Sequence, residues 1–147
     1  MATATEIIAR LEAVNIELLA ELAIEDTAKE FGKLNTEQME EGKDSKDQKI
    51  SPGYRSSSYA RMKNQMNPKP GMGVPDLKLT GAFYKGYRLQ VINGEVIEDS
   101  DVPYAPKLEK QYGKQIWGLD PENKRLYIEK FLSPGMKKRL TEETGLR

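Results

Sequence analysis

Residues Arg88-Leu-Gln-Val-Ile92 and Glu95-Val-Ile-Glu98 alternate in polarity on either side of Asn93-Gly94. Period-two alternation is the mark of a strand, and Asn-Gly is the pair that best accepts the positive φ angles of a type I′ turn. This stretch therefore predicts a tight antiparallel hairpin. It constrains the fold more than any other feature, because the strongest periodicity elsewhere is helical. The expected class is α+β: a long N-terminal amphipathic helix, a small antiparallel sheet built on the β-hairpin, and short bracing helices.

The N-terminal helix is drawn by Ile7, Leu11, Val14, Leu18 and Leu22, which recur at spacings of three and four and place one apolar stripe on a helical face. Ile8, Ile16, Leu19 and Ile24 widen that stripe, and Ala28 and Phe31 extend it. Thr3 or Thr5 is positioned to cap it, and Glu6 falls in the first turn, where the helix dipole favours an anion. A break is expected around Gly32, with further helical turns over Leu34 to Gly42. A helix of roughly 25 residues reaches nearly 40 Å. That exceeds what one small sheet covers, so its exposed end is a candidate surface for a partner; the alternative is a helix wholly packed on its own domain.

Further along, Gly42 to Asp47 reads as a polar loop. Asp44 and Asp47 lie near calcium-loop spacing, but no closing Glu follows, so no metal site is expected. Ser56-Ser-Ser58 opens a short helix with Tyr59, Met62 and Met66 on one face and Arg61, Lys63 and Gln65 on the other. Asn67 to Pro75 holds three prolines and two glycines and is expected to be an extended loop. Thr80-Gly81 makes a turn, followed by one or two helical turns before Tyr87. Asp99-Ser-Asp101 leads through Val102, Pro103 and Tyr104 into a helix from Ala105 to Gln111 that stops at Gly113. Gln115-Ile-Trp-Gly-Leu119 reads as a third short strand, and Trp117 as core or interface. Asp120-Pro121 caps a helix over Asn123 to Leu132. Ser133-Pro-Gly135 should break it before a terminal helix from Met136 to Glu143, and Gly145 to Arg147 should fray. The chain is expected to be one domain, with a helical region at 1–42, an α+β core at 43–132 and a tail at 133–147.

Composition narrows the chemistry. The chain has no cysteine and no histidine, which removes thiolate nucleophiles, thiolate metal sites, the commonest metal ligand and the commonest acid–base group near neutrality. No cofactor and no metal are expected. Neither a membrane span nor a signal peptide is expected, and the cysteine-free composition fits a reducing cytoplasm. Glu95, Glu98, Asp99 and Asp101 offer carboxylates for acid–base work, but solvated charge at a hairpin end is the ordinary reading. A phosphate-binding reading of Gly81 and Gly86 fails for want of the Walker ending. Only 37% of the chain is hydrophobic, a modest core for its length, so part of it is expected to lie on another subunit. The net charge is zero, yet Met1 to Gly42 carries ten acids against three bases, and Lys43 to Val91 three acids against ten bases. Such blocks fold on each other or steer one subunit onto the next.

The strings Leu77-Lys-Leu-Thr-Gly81, Asp101-Val-Pro-Tyr-Ala105 and Tyr112-Gly113 occur in that order around the hairpin. Upstream stand Lys49-Ile-Ser-Pro52, Tyr59 and Lys63. In order and spacing, the stretch from Lys43 to Leu132 resembles the tail-completion and neck proteins of tailed bacteriophages, the virion-morphogenesis and minor tail component families. In those, a Leu-x-x-Thr-Gly turn opens a hairpin and a Val-Pro-Tyr-Ala segment starts a helix ending at an aromatic-Gly pair. Lys110-Gln-Tyr-Gly113 stands where the family often has His-x-Phe-Gly, and Ala82 where it often has a long apolar residue. The resemblance implies a non-enzymatic virion protein, made in the bacterial host cytoplasm, that assembles as a homo-oligomeric ring at the head–tail neck or upper tail against adjacent neck and tail proteins. Thr80, Gly81, Pro103, Tyr104 and Gly113 would then shape the scaffold. Asn67, Lys69, Met72 and Val74, with Arg61 and Lys63, are the candidate interface. DNA would pass through such a ring, so its basic residues would lie near phosphate without reading sequence. The alternative is a nucleic-acid-binding accessory protein using the basic 43–91 region, which predicts salt-sensitive DNA affinity.

Overall fold

The computed structural model describes residues 3–52, 61–63, 65 and 81–145. Helices α1 (Ala4–Glu12), α2 (Ile16–Asp26) and α3 (Ala28–Glu40) come first, and residues 61–63 are helical. A single turn, α4 (Ala82–Lys85), leads into strands β1 (Tyr87–Ile92) and β2 (Glu95–Ser100). Helix α5 (Ala105–Tyr112), a 3-10 turn (Lys114–Ile116) and helix α6 (Pro121–Tyr127) follow. A π turn (Ile128–Leu132) joins α6 to α7 (Ser133–Thr144). The class is α+β, and the hairpin is the whole of the sheet among the described residues.

The one long N-terminal helix is not formed; three helices stand in its place. Thr3 closes a reciprocal capping box with Glu6, their backbone N–H groups donating across at 3.0 and 3.2 Å. The first break comes at Asn15, whose side chain accepts from the Leu18 N–H at 3.1 Å and so starts α2 as an N-cap. Asn competes with the helix for its own backbone donors, and here that competition wins. The second break is at Thr27, whose hydroxyl donates back to the Ala23 carbonyl at 2.7 Å and meets the Tyr127 hydroxyl at 2.6 Å. Gly32, the expected break, sits inside α3. A Cβ there would collide with the Tyr87 ring, so the glycine allows α3 to approach β1.

The hairpin forms as expected. Asn93 (φ 52°) and Gly94 (φ 79°) make the turn, and the register runs from Ile92 opposite Glu95 to Tyr87 opposite Ser100. The second strand extends to Ser100, two residues into the expected loop, because the Ser100 hydroxyl donates to the Phe83 carbonyl at 2.7 Å and ties the strand to α4. Tyr87, Leu89 and Val91 turn toward α2 and α3, while Arg88, Gln90 and Ile92 face solvent. A two-stranded hairpin is marginal alone in water. Here the helices cover the inner face of its base.

The core gathers Met39, Ile50, Phe83, Ala105, Tyr112 and Ile116, with Trp117 stacked on Phe83 at a centroid distance of 5.3 Å. A second aromatic contact, Phe31 edge-on to Tyr127 at 5.0 Å, joins α3 to α6. Leu19 and Ala23 bury the inner face of α2, and α7 passes over Ala23 and Thr27 at Gly135.

Two further expectations fail for identifiable reasons. Gln115 to Leu119 is not a strand, because its backbone is satisfied by side chains. Asn35 on α3 donates to the Ile116 carbonyl at 3.0 Å and accepts from the Gly118 N–H at 2.9 Å. Gln38, one turn on, donates to the Gly118 carbonyl at 3.1 Å and accepts from the Asp120 N–H at 2.9 Å. Nor do Ser133, Pro134 and Gly135 break the last helix. Pro134 lies in the first turn of α7, directly after the π turn, and the wider turn absorbs the hydrogen bond a proline cannot make.

Candidate functional site

Opposite walls formed by β2 and by the Trp117–Leu119 segment enclose a cleft of about 830 Å³. One wall is Glu95 through Asp99, taken consecutively along the strand; Ser45, Glu109, Lys114 and Lys124 close the ends. The far wall is held in place by the Asn35 and Gln38 amides described above. Trp117 is fixed by its stacking on Phe83 and by donation from its indole Nε1 to Glu109 at 2.6 Å.

The register of the hairpin determines which backbone groups face this cleft. In a two-residue hairpin the pair flanking the turn, Ile92 and Glu95, exchanges hydrogen bonds, and the hydrogen-bonded pairs then alternate. Ile97 and Asp99 thus point their N–H and C=O groups at β1, and Val96 and Glu98 point theirs outward. No backbone hydrogen bond from Val96 or Glu98 outside the hairpin ladder occurs among the described residues. Among the described residues, the outer edge of β2 is an open row of donors and acceptors.

The carboxylates at this end are not uniformly solvated, contrary to expectation. Asp99 is clamped by Arg88 across the strands through two hydrogen bonds of 2.9 and 2.8 Å, which raises the guanidinium pKa further. Glu98 sits on the inner face. Burial pushes its carboxyl up to about 7, against donation from the Tyr87 hydroxyl at 2.7 Å and from the Gly118 N–H, both of which favour the anion. Tyr87 is raised well above a free phenol, first by burial and then by the Glu98 charge. Glu95 and Asp101 are exposed. Asp44, weighed as a calcium ligand, instead caps its own loop: one carboxylate oxygen accepts from the Lys46 and Gln48 N–H groups at 2.9 and 3.0 Å.

Exposed apolar side chains form a second feature. Helix α1 buries none of its residues; Ile8 is 55% exposed, and Ile16 at the start of α2 is 61% exposed. At the free end of the hairpin, Val96 and Ile97 point to opposite faces, and both are exposed, at 40% and 43%.

Of the residues singled out from sequence, Asn67, Lys69, Met72, Val74 and Thr80 lie outside the described residues. Arg61 is exposed, but Lys63 is buried, so its ammonium is not part of a solvent-facing basic surface. Gly81 (φ 86°) precedes α4 and Gly113 (φ 88°) ends α5, both in backbone shapes that favour glycine. Pro103 and Tyr104 lead into α5, and Tyr104 stays 45% exposed. Sequence reading missed the cleft, Asn35 and Gln38. An Asn and a Gln three residues apart on one helix face are a faint signal of a side chain bracing a neighbouring segment.

No family model, curated protein or solved structure matches the chain. No helix among the described residues is long and apolar enough to cross a membrane.

Proposed function

We propose that this chain is a structural, non-enzymatic component of a tailed-phage particle, made in the bacterial cytoplasm and built into the virion as a ring of identical copies at the head–tail neck or upper tail. The observation that carries the reading is the exposed apolar surface of α1, of the start of α2 and of the hairpin end. Large apolar side chains left open in this number on a chain with so modest a core suit protein–protein contact. The order and spacing of the Thr80-Gly81, Val102-Pro-Tyr104 and Tyr112-Gly113 strings around the hairpin support the phage setting. Complementary charge blocks suit heterologous contacts, which close into rings when the rotation between copies allows.

Light scattering across a range of protein concentration tests this. A discrete closed oligomer, seen as a ring by negative-stain microscopy, is the expected result. A monomer at every concentration, with no ring on the grid, overturns self-assembly.

A further inference from the structure

We propose that the cleft along β2 is a strand-accepting slot: an extended, basic segment of a neighbouring protein adds to the free edge of β2 as a third strand. Two features converge there. Val96 and Glu98 point their backbone groups away from β1, with no partner for them among the described residues, the requirement for β-augmentation. The opposite wall is anchored by the Asn35 and Gln38 hydrogen bonds, and the cleft beside β2 measures about 830 Å³, within the range of ~300–1,000 Å³ that binding clefts span.

Charge selects the occupant. Glu95, Glu98, Asp99 and Glu109 line the slot against Lys114 and Lys124. Asp99 is already neutralised by Arg88, whereas Glu95 makes no ion pair or side-chain hydrogen bond among the described residues. A strand bearing lysine or arginine at alternate positions would place its cations along this wall, since side chains on one face recur every second residue. Pairing β2 with β2 of a second copy would bring no cation to Glu95, because Glu95–Ser100 contains no lysine or arginine. The slot is thus suited to a basic strand from a different protein.

The test uses the intact protein and an acetylated, amidated lysine–valine alternating hexapeptide, with a glutamate–valine counterpart as control. Trp117 is the only tryptophan of the chain and lines the slot, so its emission reports occupancy directly. The basic peptide should give a saturable change that weakens with salt, and the acidic one should bind at least tenfold more weakly. Val96→Pro removes one outward N–H while sparing the ladder, a substitution that edge positions tolerate; it should weaken binding at least tenfold. Hydrogen exchange on the unaltered protein gives a reading free of any folding defect: the Val96 and Glu98 amides should exchange fast alone and become protected when the basic peptide saturates. No saturable change, or saturation that leaves those two amides unprotected, overturns the slot. If Val96→Pro instead dissolves an oligomer that the unaltered protein forms in light scattering, the occupant is a second copy and the foreign-strand proposal falls. An intact oligomer with a failed titration removes the slot while leaving the assembly reading standing.

Discussion

Gln38 shows how much one side chain organises. Its amide satisfies the Gly118 carbonyl and the Asp120 N–H, and accepts from the Asn123 side chain at 3.1 Å, while itself 2% exposed. Removing a partner from buried groups costs their desolvation, about 1–3 kcal/mol. Gln38→Ala should therefore lower stability by about 2–3 kcal/mol in urea unfolding, although no apolar contact is lost. Glu98 acts in the opposite sense. Its folded-state pKa of about 7 lies above the ordinary carboxylate value of 4.5, so the folded state binds the proton more tightly. The stability this contributes is full below about pH 4.5 and is lost as the pH rises through 7. Glu98→Gln, which keeps an acceptor for Tyr87, should flatten that slope and leave the protein more stable than the parent at pH 8. Urea midpoints between pH 4.5 and 8 read it directly.

Among the elements, α3 and the hairpin show where helix rules yield to packing. Gly-to-Ala inside an exposed helix ordinarily gains about 1 kcal/mol. At Gly32 the added methyl would run into the Tyr87 ring, and overpacking costs about 1–3 kcal/mol. Gly32→Ala should thus destabilise, the reverse of its propensity, by a thermal or urea measurement. The turn behaves by local rules alone. Gly94 at φ 79° has nothing nearer than 3.8 Å to an added Cβ, so Gly94→Ala should lose about 1–2 kcal/mol from backbone strain without a clash.

For the molecule as a whole, the question is which apolar surface is core and which is contact. Ile8 and Ile16 belong to the stripe that the N-terminal periodicity draws, yet both are more than half exposed. Changing both to Glu should shift unfolding by within about 0.5 kcal/mol, as for surface sites away from special features. In light scattering the same pair should lower the oligomer toward monomer. Loss of stability in step with loss of mass would place them in the core instead.

What the sequence determined by itself is what acts locally. The Asn93-Gly94 turn, the strand alternation, the Thr3 and Asp120 caps and the stop of α5 at Gly113 are set by residues within a few positions of one another, and each stands in the structure. Tertiary structure decided wherever distant groups compete for the same backbone. Asn35 and Gln38, some eighty residues upstream, turn a strand-like run into the propped wall of a cleft. Thr27 meets Tyr127 across a separation of 100 residues and helps to divide a stripe that looked continuous. Gly32 leaves room for the Tyr87 ring against α3, and the π turn carries the last helix through Pro134. The open edge of β2 belongs to this second group. Periodicity identifies a strand, but only the placement of everything around it determines whether its outer hydrogen bonds are left unmade.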